Sequence, residues 1–227
     1  MAYLGAFYRT YAMDFWGFGE SGKKRETYAV SDFVSLVDQF MEQLGIIHAP
    51  LVGHSMGGTV SLSVAIRYPE RVSKVVVVGS PIVGSSLAPL LKLAGYRPIA
   101  FMLFNMMGIF RAGMRLYSPF ICRDPRFPDM MDRDLSRTTL ESFLRSIASL
   151  RRTDLTPMLS QVKVPVMGIY GDKDVIVHPL QWQPLQKGVP QAAVERFPMA
   201  GHFPMFEEPT EFSQKLKSFL DKETPTL

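Results

Sequence analysis

With 227 residues, the chain is long enough for one full-sized domain with a buried core, and too short for two ordinary domains. Hydrophobic residues make up 47% and charged residues 20% of the sequence, which excludes disordered, collagen-like and disulfide-scaffold proteins. The net charge of +4 is distributed without a dense basic run, so we expect no nucleic-acid partner.

The cysteine content and the hydrophobic pattern predict a cytoplasmic protein. Cys122 is the single cysteine, which excludes an internal disulfide and favours a reducing compartment. The first residues contain no basic segment followed by an apolar core, so they do not resemble a secretory signal. The most apolar stretch, residues 98–110, is shorter than the roughly 20 residues that a membrane-spanning helix requires, so we expect no membrane span.

Short apolar runs alternate with helix-length segments along most of the chain. This pattern predicts an α/β fold with a mostly parallel sheet and crossover helices. The predicted strands cover residues 9–14, 50–53, 74–79, 164–171 and 192–197. Apolar residues at helical spacing predict helices over residues 31–44, 58–67 and from about 209 onward.

The alternation of strands and helices stops between residues 82 and 160. Proline-interrupted segments rich in Leu, Phe, Met and Arg predict short helices there. We interpret residues 82–160 as a helical lid, inserted into one α/β core that consists of residues 1–81 and 161–227. Apolar lid residues, among them Met106 and Phe110, either line a substrate pocket or only pack the lid on the core.

A G-x-S-x-G motif, Gly-His-Ser-Met-Gly-Gly, occupies residues 53–58, directly between a predicted strand and a predicted helix. In this context the serine lies in a tight, strained turn with its hydroxyl exposed, and the flanking positions need glycine to avoid collisions. Ser55 is therefore the candidate nucleophile. Because the helix begins here, the backbone N–H of Met56 is a candidate oxyanion donor.

A serine nucleophile needs a general base, and the base needs a carboxylate that orients it. Of the four histidines, His202 is the preferred base because it lies in the loop after the last predicted strand, with His178 as a second candidate. Asp172 and Asp174 both follow the predicted strand over residues 164–171, at the sheet edge where parallel sheets place their sites. Taken alone, these residues leave both aspartates as candidates for the acid.

Four segments together resemble the α/β-hydrolase superfamily. More narrowly, they are similar to its lidded branch of esterases, carbon–carbon bond hydrolases and cofactor-free haloperoxidases. The segments are residues 14–21 (DFWGFGES), 53–58, 171–177 (GDKDVIV) and 201–209. The resemblance implies an α/β-hydrolase fold, no metal or organic cofactor, and the chain order Ser, Asp, His. It also implies Asp174 as the acid, because that residue is the fourth of a glycine-x-x-aspartate turn.

The resemblance begins late in the family's pattern, so we expect an N-terminally truncated version of this fold. The family's first three strands and the loop that supplies a second oxyanion N–H have no counterpart. The Phe15–Trp16 turn is a candidate both for a substitute donor and for contact with the substrate. Residues 9–14 would form the edge of the sheet, so we expect a homo-oligomer, most simply a symmetric dimer built around the N-terminal segment.

These features predict a serine carboxylic-ester hydrolase that acts through an acyl-enzyme on small to medium apolar esters. The expected partner is thus a small-molecule ester. One alternative is a catalytically weak relative that serves as a binding or oligomer-forming module. Another is a carbon–carbon bond hydrolase or perhydrolase that uses the same three residues.

Overall fold

A computed structural model of the chain describes residues 2–23, 27–89 and 107–223. Its centre is a four-stranded parallel sheet in the order β1-β2-β3-β4. The strands are β1 (Ala49–His54), β2 (Val72–Val78), β3 (Val166–Gly171) and β4 (Ala193–Phe197). Four of the five predicted strands are therefore confirmed, with boundaries shifted by one or two residues.

The helices fall where apolar periodicity places them, and further helices occupy the predicted lid. The helices predicted over residues 31–44, 58–67 and from about 209 onward are confirmed as α2, α3 and α9. The full set is α1 (Ala2–Gly5), α2 (Val30–Gln43), α3 (Met56–Arg67), α4 (Met107–Ile121), α5 (Phe127–Ser136), α6 (Leu140–Arg152), α7 (Trp182–Gly188), α8 (Pro204–Glu207) and α9 (Pro209–Asp221). Among the described residues, no helix is both long and apolar enough to cross a bilayer.

The prediction of a strand over residues 9–14 is wrong. This segment has no regular secondary structure and forms no ladder with the sheet. The chain runs along α2 instead: Tyr11 meets Phe40 edge to face at 6.1 Å, and Phe15, directly after the segment, stacks on Phe33 at 4.5 Å. A strand needs a neighbour for its backbone hydrogen bonds, and no described strand lies beside this segment.

The core lies on both faces of the sheet, because successive residues of a strand point to opposite sides. Val75 and Val77 of β2 face the layer that contains α2 and α3, whereas Val76 and Val78 face α9. Lys74 is also buried, and its ammonium group donates to backbone carbonyls at the end of α9, including that of Leu220 at 2.6 Å. This bond helps to hold α9 against the sheet.

The helices within the predicted lid range contact the core at specific backbone groups. Ser142 of α6 donates to the carbonyl of Gly17 at 2.8 Å, and the N–H of Val30 at the start of α2 donates to Ser149 of α6 at 3.0 Å. Gly17 has a φ of 88° and no room for a side chain against Ser142. The division into residues 1–81, 82–160 and 161–227 stays a prediction.

The outer strand on one side of the described sheet is β1. The N–H of Ser55, directly after β1, donates to the carbonyl of Val78 at 2.8 Å, so alternate residues of β1 face β2. The backbone groups of Val52 and His54 therefore point away from the sheet. Pro50 lies two residues before Val52 and so also faces away from β2, which suits a residue that has no N–H to donate. Val52 is 45% exposed, which is unusual for a valine in a parallel sheet.

Candidate active site

Ser55 occupies the turn between β1 and α3, as the motif predicts. Its backbone has φ 53° and ψ −123°, and it is the one non-glycine residue with positive φ in the described part of the chain. Such a conformation costs about 1–3 kcal/mol in a residue with a Cβ atom, so the surrounding structure has to enforce it. Strain of this kind is typical of a serine held at the point where a strand turns into a helix.

The glycines of the motif differ in what they are needed for. A Cβ atom on Gly53 would lie 2.2 Å from backbone atoms of Gly57, and one on Gly58 would lie 2.0 Å from the hydroxyl of Ser80. In contrast, a Cβ atom on Gly57 would meet nothing within 4 Å. The expectation that both glycines flanking the serine are required is therefore wrong for Gly57, because α3 carries that position outward.

Asp174 and His202 form a buried pair. Nδ1 of His202 donates to Oδ2 of Asp174 at 2.7 Å, and the two side chains are 4% and 2% exposed. The other carboxylate oxygen, Oδ1, accepts the N–H groups of Ile176 and Val177 at 2.8 and 2.9 Å. Both oxygens of Asp174 are thus fixed, and because Nδ1 is bonded to the carboxylate, Nε2 is the ring nitrogen left to act as a base.

The competing aspartate has a different environment. Asp172 forms a two-point ion pair with Arg196, with distances of 3.0 and 2.8 Å, and the Asp172 side chain is 26% exposed. The second candidate base, His178, is exposed and accepts the N–H of Leu180 at 3.3 Å, where a short 3-10 helix begins. The geometry brings Asp174 and His202 together, and leaves Asp172 and His178 outside the pair.

The loop that carries His202 lies against the carboxyl ends of β2 and β3. The N–H of Lys173 donates to the carbonyl of Ala200 at 3.0 Å, and a Cβ atom on Gly171 would lie 2.1 Å from the carbonyl oxygen of Gly201. A Cβ atom on Gly79, which follows β2, would lie 3.2 Å from Nδ1 of His202. The residue before Gly79 is Val78, whose carbonyl accepts the N–H of Ser55. The imidazole of His202 therefore lies beside the turn that carries Ser55.

His54 has a structural role that the sequence did not reveal. Its Nε2–H donates to the main-chain carbonyl of His202 at 2.8 Å, and its ring packs against the rings of His202 and Phe203, each with centroids 4.6 Å away. Burial is the larger cause and the nearby His202 the smaller one of a pKa of His54 that is lowered to about 3, so His54 is neutral at physiological pH. Nothing in the spacing of the motif predicts this contact.

Glu207 is the second residue whose contacts the sequence did not reveal. Its side chain is 3% exposed, and its Oε2 atom accepts the N–H of Gly201 at 2.6 Å, one residue before His202. Its proximity to His202 in the sequence was visible, but α8 had to fold back for the carboxylate to reach Gly201.

The remaining predicted site residues stay predictions. Met56 is the first residue of α3, and first-turn N–H groups have no acceptor within their own helix, which suits an oxyanion donor. Phe15 and Trp16 pack against the core near α2. Met106 and the side chain of Phe110 lie outside the described residues.

Comparison with known proteins agrees with this architecture. Residues 1–215 match the model of the alpha/beta hydrolase family. A 2-hydroxy-6-oxononadienedioate/2-hydroxy-6-oxononatrienedioate hydrolase from Paraburkholderia phymatum is 31% identical over 96% of this chain and 78% of the relative. A 3-oxoadipate enol-lactonase 2 from Acinetobacter baylyi is 25% identical over 98% of this chain and 82% of the relative.

The fold itself is shared with solved structures. An esterase from Exiguobacterium antarcticum superposes with a TM-score of 0.77 at 19% identity, and the match covers 92% of this chain and 80% of the esterase. At this identity the likeness supports the fold alone. The family model covers residues 1–215, which is most of the sequence. The chain belongs to the α/β-hydrolase family.

Proposed function

We propose that this hydrolase cleaves carboxylic esters through an acyl-enzyme, with Ser55 as nucleophile, His202 as base and Asp174 as the carboxylate that orients the base. The observation that carries the proposal is the buried 2.7 Å bond between Nδ1 of His202 and Asp174, placed beside a strained serine. Hydrogen bonds to both oxygens offset the cost of burying this carboxylate, and the bond to Nδ1 fixes the tautomer of the histidine.

The chemistry follows from that tautomer. With its proton on Nδ1, His202 accepts the Ser55 hydroxyl proton at Nε2 while the Ser55 oxygen bonds to the ester carbonyl carbon. The tetrahedral intermediate collapses, the bond to the alcohol oxygen breaks, and His202 gives that oxygen its proton. Water then attacks the acyl-enzyme by the same sequence, which releases the acid and restores Ser55.

The negative charge on the carbonyl oxygen needs donors that are already in place. We assign one of them to the N–H of Met56, at the start of α3, where the helix dipole also favours negative charge. The Phe15–Trp16 turn stays the candidate for the second donor and for contact with the acyl chain. Loss of a single oxyanion donor costs on the order of 100-fold or more in rate, so the second donor determines whether turnover is fast.

The proposed substrates are small to medium apolar esters. Support comes from an aromatic cluster beside His202, in which Phe203 packs against Phe127, Phe206 and the neutral ring of His54. These rings offer no charge with which a charged acyl group could pair. No metal or organic cofactor takes part in the proposed steps.

Carbon–carbon bond hydrolysis is the second candidate, and a specific observation favours it. The 31% identical relative carries the name of a 2-hydroxy-6-oxononadienedioate/2-hydroxy-6-oxononatrienedioate hydrolase, and the match covers 96% of this chain and 78% of the relative. Both reactions can use the same serine, histidine and aspartate, so the substrate decides between them. A panel that contains p-nitrophenyl esters of varied chain length together with a 2-hydroxy-6-oxo dienedioate separates them by relative kcat/KM.

The serine mechanism is tested with a fluorophosphonate probe. The wild-type protein should label at Ser55, and Ser55→Ala should abolish labelling and lower ester hydrolysis by at least roughly 1,000-fold. Ser80→Ala is not a suitable control, because its hydroxyl contacts the Gly58 turn. Ser35→Ala is suitable, since that hydroxyl donates to the carbonyl of Ser31 in its own helix, far from Ser55 in the sequence. A wild-type protein that neither labels nor turns over any substrate would instead support the binding-module alternative.

A further inference from the structure

Glu207 lies close to the catalytic loop but takes no part in the proposed chemistry. It is the last residue of α8, and its side chain is 3% exposed. A buried carboxylate is costly unless hydrogen bonds satisfy its oxygens. Glu207 meets that requirement with donors from two different parts of the chain, which points to a role beyond packing.

The two carboxylate oxygens of Glu207 face in different directions. Oε2 accepts the N–H of Gly201 at 2.6 Å. Oε1 accepts both the backbone N–H of Arg123, at 3.2 Å, and its Nε, at 3.1 Å. Arg123 belongs to the connection between α4 and α5, inside the predicted lid range. One side chain therefore joins the peptide before His202 to the lid connection.

Two further contacts join the same segments. The guanidinium group of Arg123 also donates to the carbonyl of Met199, two residues before Gly201. A Cβ atom on Gly201 would lie 2.8 Å from the carbonyl oxygen of Ile121, so the lid connection and the catalytic loop approach each other at the backbone. On the other side of His202, its carbonyl is held by His54.

These contacts hold the main chain on both sides of His202. The side chain is fixed to Asp174, but its direction also depends on the peptide groups on either side of it. Of these, the Gly201 N–H has Glu207 as its hydrogen-bond acceptor. A displacement of about 1 Å in a catalytic group can cost on the order of 100-fold in rate. A shift of the Gly201–His202 peptide would therefore move the imidazole relative to Ser55.

We propose that Glu207 is a positioning residue, which holds the Gly201–His202 peptide and makes its position depend on the lid connection at Arg123. Movement of the lid connection is thereby transmitted to the general base. The expected effect on kcat rests on the proposed serine mechanism, whereas the structural link from Arg123 to the Gly201–His202 peptide does not.

Kinetics on a p-nitrophenyl ester test the positioning role. Glu207→Ala should lower kcat about 10- to 100-fold and leave KM within about threefold, because Glu207 contacts no substrate in this proposal. Glu207→Gln should not restore the wild-type rate, because its NH2 group faces an N–H donor whether the amide oxygen turns to Gly201 or to Arg123. The matched control is Glu211→Gln, which removes an exposed carboxylate paired with Lys215 at 3.3 Å and should change neither constant.

A double-mutant cycle tests the coupling to the lid. Arg123→Ala should lower kcat about 3- to 10-fold, and the double variant Arg123→Ala with Glu207→Ala should be slower than Glu207→Ala by clearly less than that factor, because only the Met199 contact of Arg123 is independent of Glu207. Simple multiplication of the two losses would show that the residues act independently, which contradicts the proposed transmission.

Amide hydrogen exchange gives a readout that does not require activity. Glu207→Ala should raise exchange about tenfold or more in peptides that cover residues 121–124 and 199–203, with β2 and β3 unchanged. Exchange that stays at the wild-type level in both peptides, or rises throughout the protein, would overturn the proposal. If the serine mechanism fails but exchange rises in these two peptides, Glu207 still holds the two segments together, and only its proposed effect on catalysis is refuted.

Discussion

Replacing Asp174 by asparagine should almost abolish activity with little change of shape. Oδ1 of Asp174 accepts two backbone N–H groups, from Ile176 and Val177, so in the variant the amide oxygen has to take this place. The amide NH2 then faces Nδ1 of His202 across the former 2.7 Å bond. The opposite orientation would set the NH2 against two N–H donors, which is worse.

The orientation of the amide decides the tautomer of the histidine. Since the NH2 group can only donate, Nδ1 of His202 has to accept, and its proton moves to Nε2. A protonated Nε2 cannot take the proton of Ser55. The expected loss in kcat is on the order of 10⁴-fold, or about 5 kcal/mol of transition-state stabilisation.

The matched control is Asp172→Asn, whose side chain pairs with Arg196 at the surface. Exposed ion pairs contribute at most about 1 kcal/mol, so this variant should keep activity within about twofold. Both variants are compared by kcat/KM on a p-nitrophenyl ester, with circular dichroism to establish that they fold. Retention of more than a tenth of the activity by Asp174→Asn, or a larger loss in Asp172→Asn, would refute the reasoning.

Two further predictions concern the nucleophile turn and its neighbour. Gly53→Ala should destabilise the protein by several kcal/mol or prevent folding, whereas Gly57→Ala should fold and stay within about 1 kcal/mol of wild type in urea denaturation, because only the first Cβ atom collides with backbone; equal losses would contradict this. The pKa of His54 is about 3 in the folded state and near 6.5 in the unfolded chain, so only the unfolded chain takes up this proton between these pH values. The free energy of unfolding should therefore fall as the pH decreases from about 6.5 towards 3. The His54 contribution to that loss is about 2 kcal/mol between pH 7.5 and about pH 5, and His54→Gln should remove it; an unchanged slope in the variant would show that His54 titrates normally.

Local sequence signals were sufficient for the nucleophile turn. The strand β1, the turn at Ser55 and the helix α3 follow each other without a gap. One short stretch of sequence therefore contains all the residues that determine this structure. The assignments of His202 and Asp174 needed more, namely the order of strands and the family resemblance, because the two residues lie 28 positions apart in the chain. The structure then brings these two side chains together.

Features that depend on distant partners could not be predicted. Residues 9–14 have a composition that suits a strand, but a strand also requires a neighbouring strand, and composition carries no information about that neighbour. Likewise, His54 bonds to a carbonyl 148 positions away, and Glu207 bonds to Arg123 84 positions away. Main-chain acceptors and donors leave no trace in the residue types of a sequence, so both contacts were visible only in three dimensions.

The exposed edge of β1 changes the basis of the predicted oligomer. Residues 9–14 were expected to form the outer strand, but that position belongs to β1. The outward N–H and carbonyl groups of Val52 and His54 have no partner strand among the described elements, and Val52 and Ile47 are 45% and 79% exposed. An edge of this kind, with apolar residues beside it, readily pairs with another strand.

A second copy of the chain is the simplest partner for this edge, because two β1 strands related by a two-fold axis can pair antiparallel and join both sheets. We therefore predict a symmetric dimer, and light scattering at low micromolar concentration should give about twice the chain mass of 25.6 kDa. Val52→Lys should shift the protein towards monomer, since a charge on an edge strand opposes pairing. Met158→Lys is the matched control, as that residue is 39% exposed but lies outside the sheet, and it should leave the mass unchanged. A wild-type monomer, or equal dissociation in both variants, would show that the β1 edge is not the interface.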